Sequence, residues 1–217
     1  IMSDSRKEKT KRVHIVGFAP SYKETPWDDK EADIWVLNEF YKVVPSIPNF
    51  RATRWFEIHD RNSKSKATPE HIDFLQKCPI PVYMWDHYDD IPNSVKFPKN
   101  EIIDWLKGKG FLGSGYFTNS ISWFIALAMY EGYKEISVWG VDMATSSEYQ
   151  AQRPSCEYFI GLAEGMGIKV FIPQTSDLLK CTQLYGFESS NKNRTWMKEQ
   201  IDVLNKRSQQ FSQQEQQ

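Results

Sequence analysis

His59 is a candidate for proton transfer, because an imidazole has an unperturbed pKa of about 6.5 and can accept a proton at neutral pH. It follows the apolar-rich stretch 54–58 and lies between Glu57 and Asp60. This setting is typical of a general base that acts on a hydroxyl group, and equally of a structural hydrogen-bonded pair. Glu57 and Glu148 are the alternative bases.

Polar residues also follow the other β-rich stretches. Asp142 follows 135–141, where it either lines a site or caps a loop. Asn38 follows 33–37, and its amide can both donate and accept hydrogen bonds. The stretch 13–17 ends in a Gly-x-x-Pro-Ser turn, which suits a phosphate or forms a tight turn without a ligand. The carboxyl ends of parallel strands share one crevice, which predicts a cleft. Its other candidates are Asp86 and His87 after 81–85, and Gln174, Thr175 and Ser176 after 168–172.

A second polar group follows the loop that contains Asp142. Glu148, Tyr149, Gln152 and Arg153 lie within six residues of one another. Arg153 and Tyr149 would suit a phosphate leaving group, since guanidinium and phenol groups donate hydrogen bonds to phosphate oxygens. The same residues are also typical of a solvated helix start.

The alternation of strand-like and helix-like stretches predicts an α/β fold. The predicted fold is a single Rossmann-like domain with a mostly parallel sheet, helices on both faces and an additional C-terminal helix. The residues 118–120 are good helix N-cap types, and the next dozen residues are apolar on nearly every face, with Gly132 as the stop. A further helix has Pro154 in its first turn. The predicted organisation is a disordered lead-in (1–12), the nucleotide-binding domain (13–190), and a C-terminal helix with a Gln-rich tail (191–217).

Two loops and the tail are candidates for accessory roles. The basic loop 62–67 and the irregular excursion 86–99 are each interpreted as a possible lid over the cleft. The tail carries an apolar stripe at helical spacing, which predicts a docking or homo-oligomer helix. In an oligomer, Arg194 or Lys198 would contact a neighbour's ligand. The stripe consists of Met197, Ile201, Leu204 and Phe211.

The composition excludes several classes of protein. The 217 residues fit one domain, and the net charge of −1 provides no overall field for nucleic acid or an anionic membrane. Three cysteines without metal-ligand spacing argue against a zinc site and for a reducing compartment. There is no membrane-length apolar run or signal sequence, so the predicted location is the cytoplasm, the host's if the protein is phage-encoded. With no D-x-D motif, and with the acid pairs 28–29 and 89–90 interpreted as solvated, a metal-independent reaction without a cofactor is predicted.

Three segments, in order, resemble the bacterial lipooligosaccharide sialyltransferases, which use a CMP-sugar donor on a nucleotide-binding α/β domain. They are IVGFAPSYKE at 15–24, IWVLNEFY at 34–41, and the block 120–149 with EGYKEISVWGVDM, followed by IPQTSDLL at 172–179. A related pattern occurs in the archaeal-type pterin pyrophosphokinases. The whole chain also looks like an uncharacterised group of tailed-phage proteins.

The resemblance implies roles for individual residues in binding a donor nucleotide. Two positions depart from the family: Phe18 replaces a small residue or asparagine, and the segment 148–153 lacks the family's histidine base. The implied contacts are Gly17, Ala19 and Ser21 with the donor phosphate and ribose, Asn38 with the nucleotide, Asn119 and Ser120 with the donor near its glycosidic carbon, and Asp142 with a cytidine-type base or ribose.

Three functions follow as hypotheses. The first is a nucleotide-sugar-dependent glycosyltransferase, phage-encoded, that acts on a modified DNA base or a glycan. The second is pyrophosphoryl transfer to a pterin-like alcohol, which requires ATP and Mg²⁺ and therefore carboxylate clusters. The third is a non-catalytic protein that binds or sequesters a nucleotide, which the missing family histidine would permit.

Overall fold

The computed structural model describes residues 10–61, 68–144, 147–181, 184–187, 198–203 and 205–206, with the backbone alone at 147–149. These residues form a seven-stranded sheet in which every pairing is parallel. The predicted α/β fold is therefore confirmed. The strands are β1 (Arg12–Val16), β2 (Asp33–Leu37), β3 (Arg54–Glu57), β4 (Val82–Met84), β5 (Ser94–Lys96), β6 (Glu135–Trp139) and β7 (Lys169–Phe171).

The order of the strands reverses next to β1. The chain runs outward through β2, β3, β4 and β5 on one side of β1, and then returns to place β6 and β7 on the other side. After β1 the chain crosses to one face of the sheet, where Tyr22 is buried, and after β6 it crosses to the opposite face, where Phe159 is buried. Such a divergence opens a crevice above the two central strands.

Helices cover both faces of the sheet, and alternate strand residues supply the two cores because side chains alternate along a strand. The helices are α1 (Pro69–Lys77), α2 (Lys99–Gly108), α3 (Ser120–Tyr130) and α4 (Ser147–Gly165). On β2, Trp35 packs in the core formed with α2, α3 and α4, whereas Ile34 and Val36 pack in the core that contains Leu75 of α1.

Helix α3 is the central buried helix, as its apolar sequence predicts. The Asn119 side chain accepts a hydrogen bond from the Ser122 backbone N–H (2.9 Å) and caps its first turn. At the other end Gly132 adopts a φ of +79°, and the Tyr133 N–H returns to the Ala128 carbonyl (3.0 Å). The predicted stop at Gly132 is thus confirmed as an αL helix end.

Two expectations about local structure need correction. The expectation for 86–99 is wrong in part: 86–93 is irregular, but 94–96 return to the sheet as the edge strand β5, in which Ser94 pairs with Val82. No residue of the segment lines the cleft. Helix α4 begins at Ser147, so that Pro154 lies inside the helix rather than in its first turn. The preceding turn of α4 is polar and has no apolar periodicity that would reveal it.

Several expectations fall outside the described residues. They concern the lead-in 1–9, the basic loop 62–67, the side chains of Glu148 and Tyr149, and the tail positions Arg194, Met197, Leu204 and Phe211. Residues 198–203 and 205–206 are helical, and Ile201 of the predicted stripe is exposed. Within the described residues, no helix combines the length and apolarity needed to cross a bilayer.

Candidate functional site

A cleft lies at the carboxyl ends of the strands, above the reversal of strand order. Its volume is about 960 Å³, which falls within the usual range for a small-molecule site. The walls come from the residues that follow β1, β2, β3, β4 and β6, and from the first turn of α3. Residues of the predicted site that line it are Gly17, Ala19, Asn38, His59, Asn119, Ser120 and Asp142.

The bottom of the cleft is a contact between two glycines, here called the glycine floor (Gly17 and Gly140). The Gly17 N–H donates to the Trp139 carbonyl and the Ala19 N–H to the Gly140 carbonyl, each at 2.8 Å. A Cβ atom on Gly17 would lie 2.5 Å from the Gly140 oxygen, and one on Gly140 would lie 2.3 Å from the Gly17 oxygen. Only glycine at both positions lets the ends of β1 and β6 approach this closely.

Ser21 has a structural role here, whereas its contact with the donor phosphate stays a prediction. Its hydroxyl oxygen is buried and accepts a hydrogen bond from the Gly140 N–H at 2.8 Å. This bond fastens the turn after β1 to the end of β6. Ser21 does not line the cleft. Phe18, the departure from the family pattern, lines the cleft and packs against Phe40 (centroids 5.4 Å apart).

The N-terminal turn of α3 forms one wall, with Asn119 and Ser120 at the cleft surface. The Asn119 amide caps α3 and also donates to the Gln152 carbonyl at 2.8 Å, so it ties α3 to α4. Its principal role in this structure is thus to hold the wall, beyond the donor contact that the resemblance implies. The backbone N–H groups of the first turn, beginning at Ser120, are those that a helix N-terminus offers to an anion.

Asn38 lies in the wall in an uncommon conformation for a side-chain-bearing residue, with φ +52°. Its carbonyl accepts a hydrogen bond from the Trp55 indole N–H (2.9 Å), and its N–H donates to the Phe56 carbonyl (2.8 Å). Its side-chain oxygen is buried and has no hydrogen-bond partner among the described residues. Strained backbone and an unpartnered acceptor beside a cleft are both typical of a binding residue.

Asp142 is buried in the wall of the cleft and follows β6. Asn38 follows β2, which lies on the other side of β1. The backbone around Asp142 is fixed from below, because the Ser176 hydroxyl donates to the Val141 carbonyl at 2.7 Å. Ser176 is fully buried. It therefore supports the Asp142 loop, and the expectation that the polar residues after β7 face the crevice is wrong for Ser176.

His59 lies on the other side of the cleft, in the histidine cluster (His59, Glu57 and His71). Glu57 Oε1 lies 2.7 Å from His59 Nδ1, and Glu57 Oε2 lies 2.7 Å from His71 Nε2. Glu57 is only 4% exposed, whereas the His59 side chain is 34% exposed and lines the cleft. Because Nδ1 is bound to Glu57, Nε2 is the His59 nitrogen that remains for a ligand.

The protonation state of Glu57 follows from this arrangement. Burial alone raises the pKa of the Glu57 carboxyl, but the hydrogen bonds from His59 and His71 outweigh burial and lower the pKa to about 2. Glu57 is therefore ionised at neutral pH. It lies beneath His59 and not on the surface of the main cleft, so it does not fit the alternative role of acceptor base.

Arg153 binds groups of the protein itself in this structure, and its contact with a phosphate stays a prediction. Its guanidinium donates to the carbonyls of Asp177 (2.6 Å) and Lys180 (2.7 Å) and to the Glu157 carboxylate (2.7 Å). It thereby holds the loop after β7 against α4. Of the two members of this polar group whose side chains the structure describes, Gln152 is the one that lines the cleft.

The sequence did not reveal an aromatic wall on the β4 side of the cleft. Phe117 and Trp123 stack at 3.6 Å with an interplanar angle of 7°, and Trp85 meets Trp123 edge-on at 5.7 Å. All three line the cleft. Trp85 follows β4, just as His59 follows β3. Its indole ring is largely apolar, so Trp85 was not among the polar residues that the strand ends offered as candidates.

The cleft has few ionisable groups. Asp142 and His59 are the ionisable residues among its described lining, which includes no lysine or arginine. Within the described part of the chain, no group of three or more histidine, cysteine, aspartate or glutamate side chains is arranged to hold a metal ion.

Comparison with solved structures gives the fold. The sialyltransferase CstII from Campylobacter jejuni, in complex with the substrate analogue CMP-3FNeuAc, superposes with a TM-score of 0.51 at 18% identity, over 75% of this chain and 80% of that one. A variant of the alpha-2,3/8-sialyltransferase CstII gives 0.51 at 20% identity, over 75% and 81%. A point variant of CST-II in complex with CMP gives 0.50 at 16%, over 75% and 81%.

The chain shares its fold with these sialyltransferases. The resemblance that the sequence segments suggested is confirmed at this level, and identities of 16–20% carry it no further than the fold. No protein-family model matches the chain. No curated protein matches it in sequence.

Proposed function

We propose that this protein is a glycosyltransferase that uses a nucleotide-activated sugar. The observation that carries the proposal is the single cleft that holds a helix N-terminus, two nucleoside-binding candidates and an exposed histidine backed by a buried carboxylate. Structures with the same fold bind CMP and CMP-3FNeuAc. The cleft of this chain is the proposed donor site.

The donor is proposed to lie over the glycine floor. Its phosphate would accept hydrogen bonds from the backbone N–H groups at the start of α3, where Ser120 faces the cleft. Asn38 and Asp142 would bind the base and ribose through amide and carboxylate groups. Neutral donors around the phosphate favour a donor of low charge, such as a nucleoside monophosphate sugar, over a diphosphate.

The proposed reaction is transfer to a hydroxyl group. His59 Nε2 accepts the proton of the acceptor hydroxyl while the acceptor oxygen forms a bond to the anomeric carbon of the sugar. The bond from that carbon to the phosphate oxygen breaks, and the nucleotide leaves with the electron pair. The donor is a substrate, and the proposed reaction uses no cofactor. The proposed acceptors are a glycan and a modified base in phage DNA.

Calorimetry tests the donor site. We expect CMP or a CMP-sugar to bind with a one-to-one stoichiometry and to raise the melting temperature, since a ligand of the folded state stabilises it. UDP-sugars, and ATP with and without Mg²⁺, are the comparison ligands. Tight ATP binding that requires Mg²⁺ would favour pyrophosphoryl transfer instead.

Variants locate the binding to the cleft. Asp142→Ala is expected to abolish nucleotide binding while the far-ultraviolet circular dichroism stays unchanged. Asp104→Asn, an exposed residue of α2, is the matched control and should bind as the parent does. Parental affinity in Asp142→Ala would mean that the donor site is misplaced.

A turnover assay then separates an enzyme from a binding protein. The bound CMP-sugar is incubated with oligosaccharides or with duplex DNA that carries hydroxymethylated bases, and the released CMP and glycosylated product are measured. Release of CMP with a glycosylated product supports transfer and identifies the acceptor. Binding without any release over long incubation would instead support a sequestering protein.

A further inference from the structure

We infer that Glu57 and His71 are a positioning pair that fixes His59 in one tautomer, with the proton on Nδ1 and the lone pair of Nε2 facing the cleft. The inference rests on the proposed function, because His59 is the base assigned there. It assigns roles to a residue of β3 and a residue of α1 that lie outside the main cleft.

The geometry leaves one hydrogen-bonding pattern. An ionised carboxylate only accepts hydrogen bonds, so both histidine nitrogens at 2.7 Å must carry protons. His59 then has its proton on Nδ1, and His71 has its proton on Nε2. The low pKa of Glu57, about 2, is consistent with a carboxylate that stays ionised while it holds both rings.

Among the described residues, Glu57 is the one hydrogen-bond partner of the His71 side chain. His71 is 1% exposed, its ring stacks on Tyr41 (5.8 Å, 20°), and its backbone N–H is bound by the Thr68 side chain that caps α1. Its Nδ1 is buried without a partner among the described residues. Replacing a buried charged pair by apolar residues is often neutral or stabilising, so stability alone does not account for this network, and we assign it to the orientation of His59.

The pair also acts while the proton is transferred. When His59 Nε2 takes the proton of the acceptor hydroxyl, the ring becomes an imidazolium. The Glu57 carboxylate at Nδ1 stabilises that positive charge without taking the proton itself, as an acid beside a catalytic histidine does. His71 supplies the donor to the second carboxylate oxygen, which would otherwise be buried without one.

Glu57→Gln is the first test, because an amide accepts at its oxygen but donates at its nitrogen. One histidine must then change tautomer. His71 cannot do so cheaply, since a proton on Nδ1 would be a buried donor without a partner. The amide therefore faces His59 with its N–H₂, and this costs only the long hydrogen bond (3.3 Å) that the His59 backbone N–H donates to Glu57 Oε1. His59 then moves its proton to Nε2, where it cannot act as a base.

The readouts are the ¹⁵N chemical shifts of selectively labelled histidines, donor affinity and turnover. We expect the parent to show His59 protonated on Nδ1. Glu57→Gln should show it on Nε2, with donor affinity within about twofold and turnover reduced about 10²–10⁴-fold. A His59 that carries its proton on Nε2 in the parent, or that keeps tautomer and turnover in Glu57→Gln, would overturn the inference.

His71 gives a second test that does not depend on the fate of Glu57→Gln. His71→Gln retains an N–H donor for Glu57 and is expected to keep turnover within about fivefold of the parent. His71→Leu lacks the donor and is expected to lose at least tenfold. Equal turnover in the two variants would contradict a positioning role. If the parent transfers no sugar, the proposed function fails, while the histidine shifts still decide the tautomer.

Discussion

Two regions of the cleft are built in different ways. The glycine floor is formed by backbone, because two strand ends touch where neither residue has a side chain. The histidine cluster is formed by side chains, because the buried carboxylate at the end of β3 joins His59, which follows β3, to His71 of α1. The floor is sensitive to any added atom, and the cluster is sensitive to protonation. Substitutions in the glycine floor therefore test the packing of the site, and substitutions in the histidine cluster test its proposed proton transfer.

The largest effect is expected from His59→Gln, which removes the proposed base and keeps a polar side chain of similar size. Turnover should fall about 10²–10⁴-fold while donor affinity is unchanged, the usual contribution of a general base. Steady-state kinetics and calorimetry measure the two quantities. His87→Gln is the matched control, because His87 is an exposed histidine outside the cleft lining. Comparable turnover in the two variants would remove the base from the histidine cluster.

Gly140→Ala tests the floor. The added Cβ would lie 2.3 Å from the Gly17 oxygen at a φ of +60°, and overpacking plus left-handed strain are expected to lower the free energy of unfolding by about 3 kcal/mol. Gly161→Ala on α4 is the control, since nothing lies within 4 Å of its Cβ and alanine favours a helix by about 0.5–1 kcal/mol. Urea denaturation measures both. A Gly140→Ala protein as stable as the parent would contradict the close contact.

The pH dependence of stability tests the cluster. The pKa of Glu57 falls from its usual 4.5 to about 2 on folding, so the ionised carboxylate stabilises the fold above pH 4.5 and this contribution is lost as the pH falls toward 2. The difference in unfolding free energy between the parent and Glu57→Gln is expected to reach at most about 3 kcal/mol near neutral pH. Urea titrations from pH 7 to 3 should show it shrinking below pH 4.5. A constant difference would mean that Glu57 is not ionised in the fold.

The smallest effect is expected from Asn38→Gly. Glycine adopts the φ of +52° readily, so stability should be retained while the buried amide oxygen is lost. Loss of one hydrogen bond to the nucleotide should weaken binding about tenfold. Asn38→Asp, which keeps the shape but removes the amide donors, is the companion variant. Unchanged calorimetric affinity in both would exclude Asn38 from the nucleotide site.

The sheet was predictable because six of its strands are apolar and β-rich, and because the polar residues that follow them fall at one edge by the geometry of parallel strands. The strand that the sequence missed, β5, has only three residues, two of them exposed. Its short polar sequence has no periodicity to detect. The early start of α4 was missed for the same reason.

The site was less predictable, since a residue type shows what a side chain can do but not which partner it has. Ser21 and Arg153 have the chemistry of phosphate ligands, yet each binds backbone groups of the protein. Glu57 was predicted as a candidate base, but it lies beneath His59 and outside the lining of the main cleft. His71 follows Glu57 by 14 residues, and no local pattern connects the two.

The parallel pairing of β1 with β6 also has a consequence for folding. Val16 pairs with Trp139, so the two strands that carry the glycine floor are separated by most of the chain. Contacts this distant form slowly, because a long loop must close first. On the ribosome, β1 through β5 can emerge and pair while the place beside β1 is still empty. The proposed donor site is therefore expected to be completed late in synthesis, when β6 inserts beside β1.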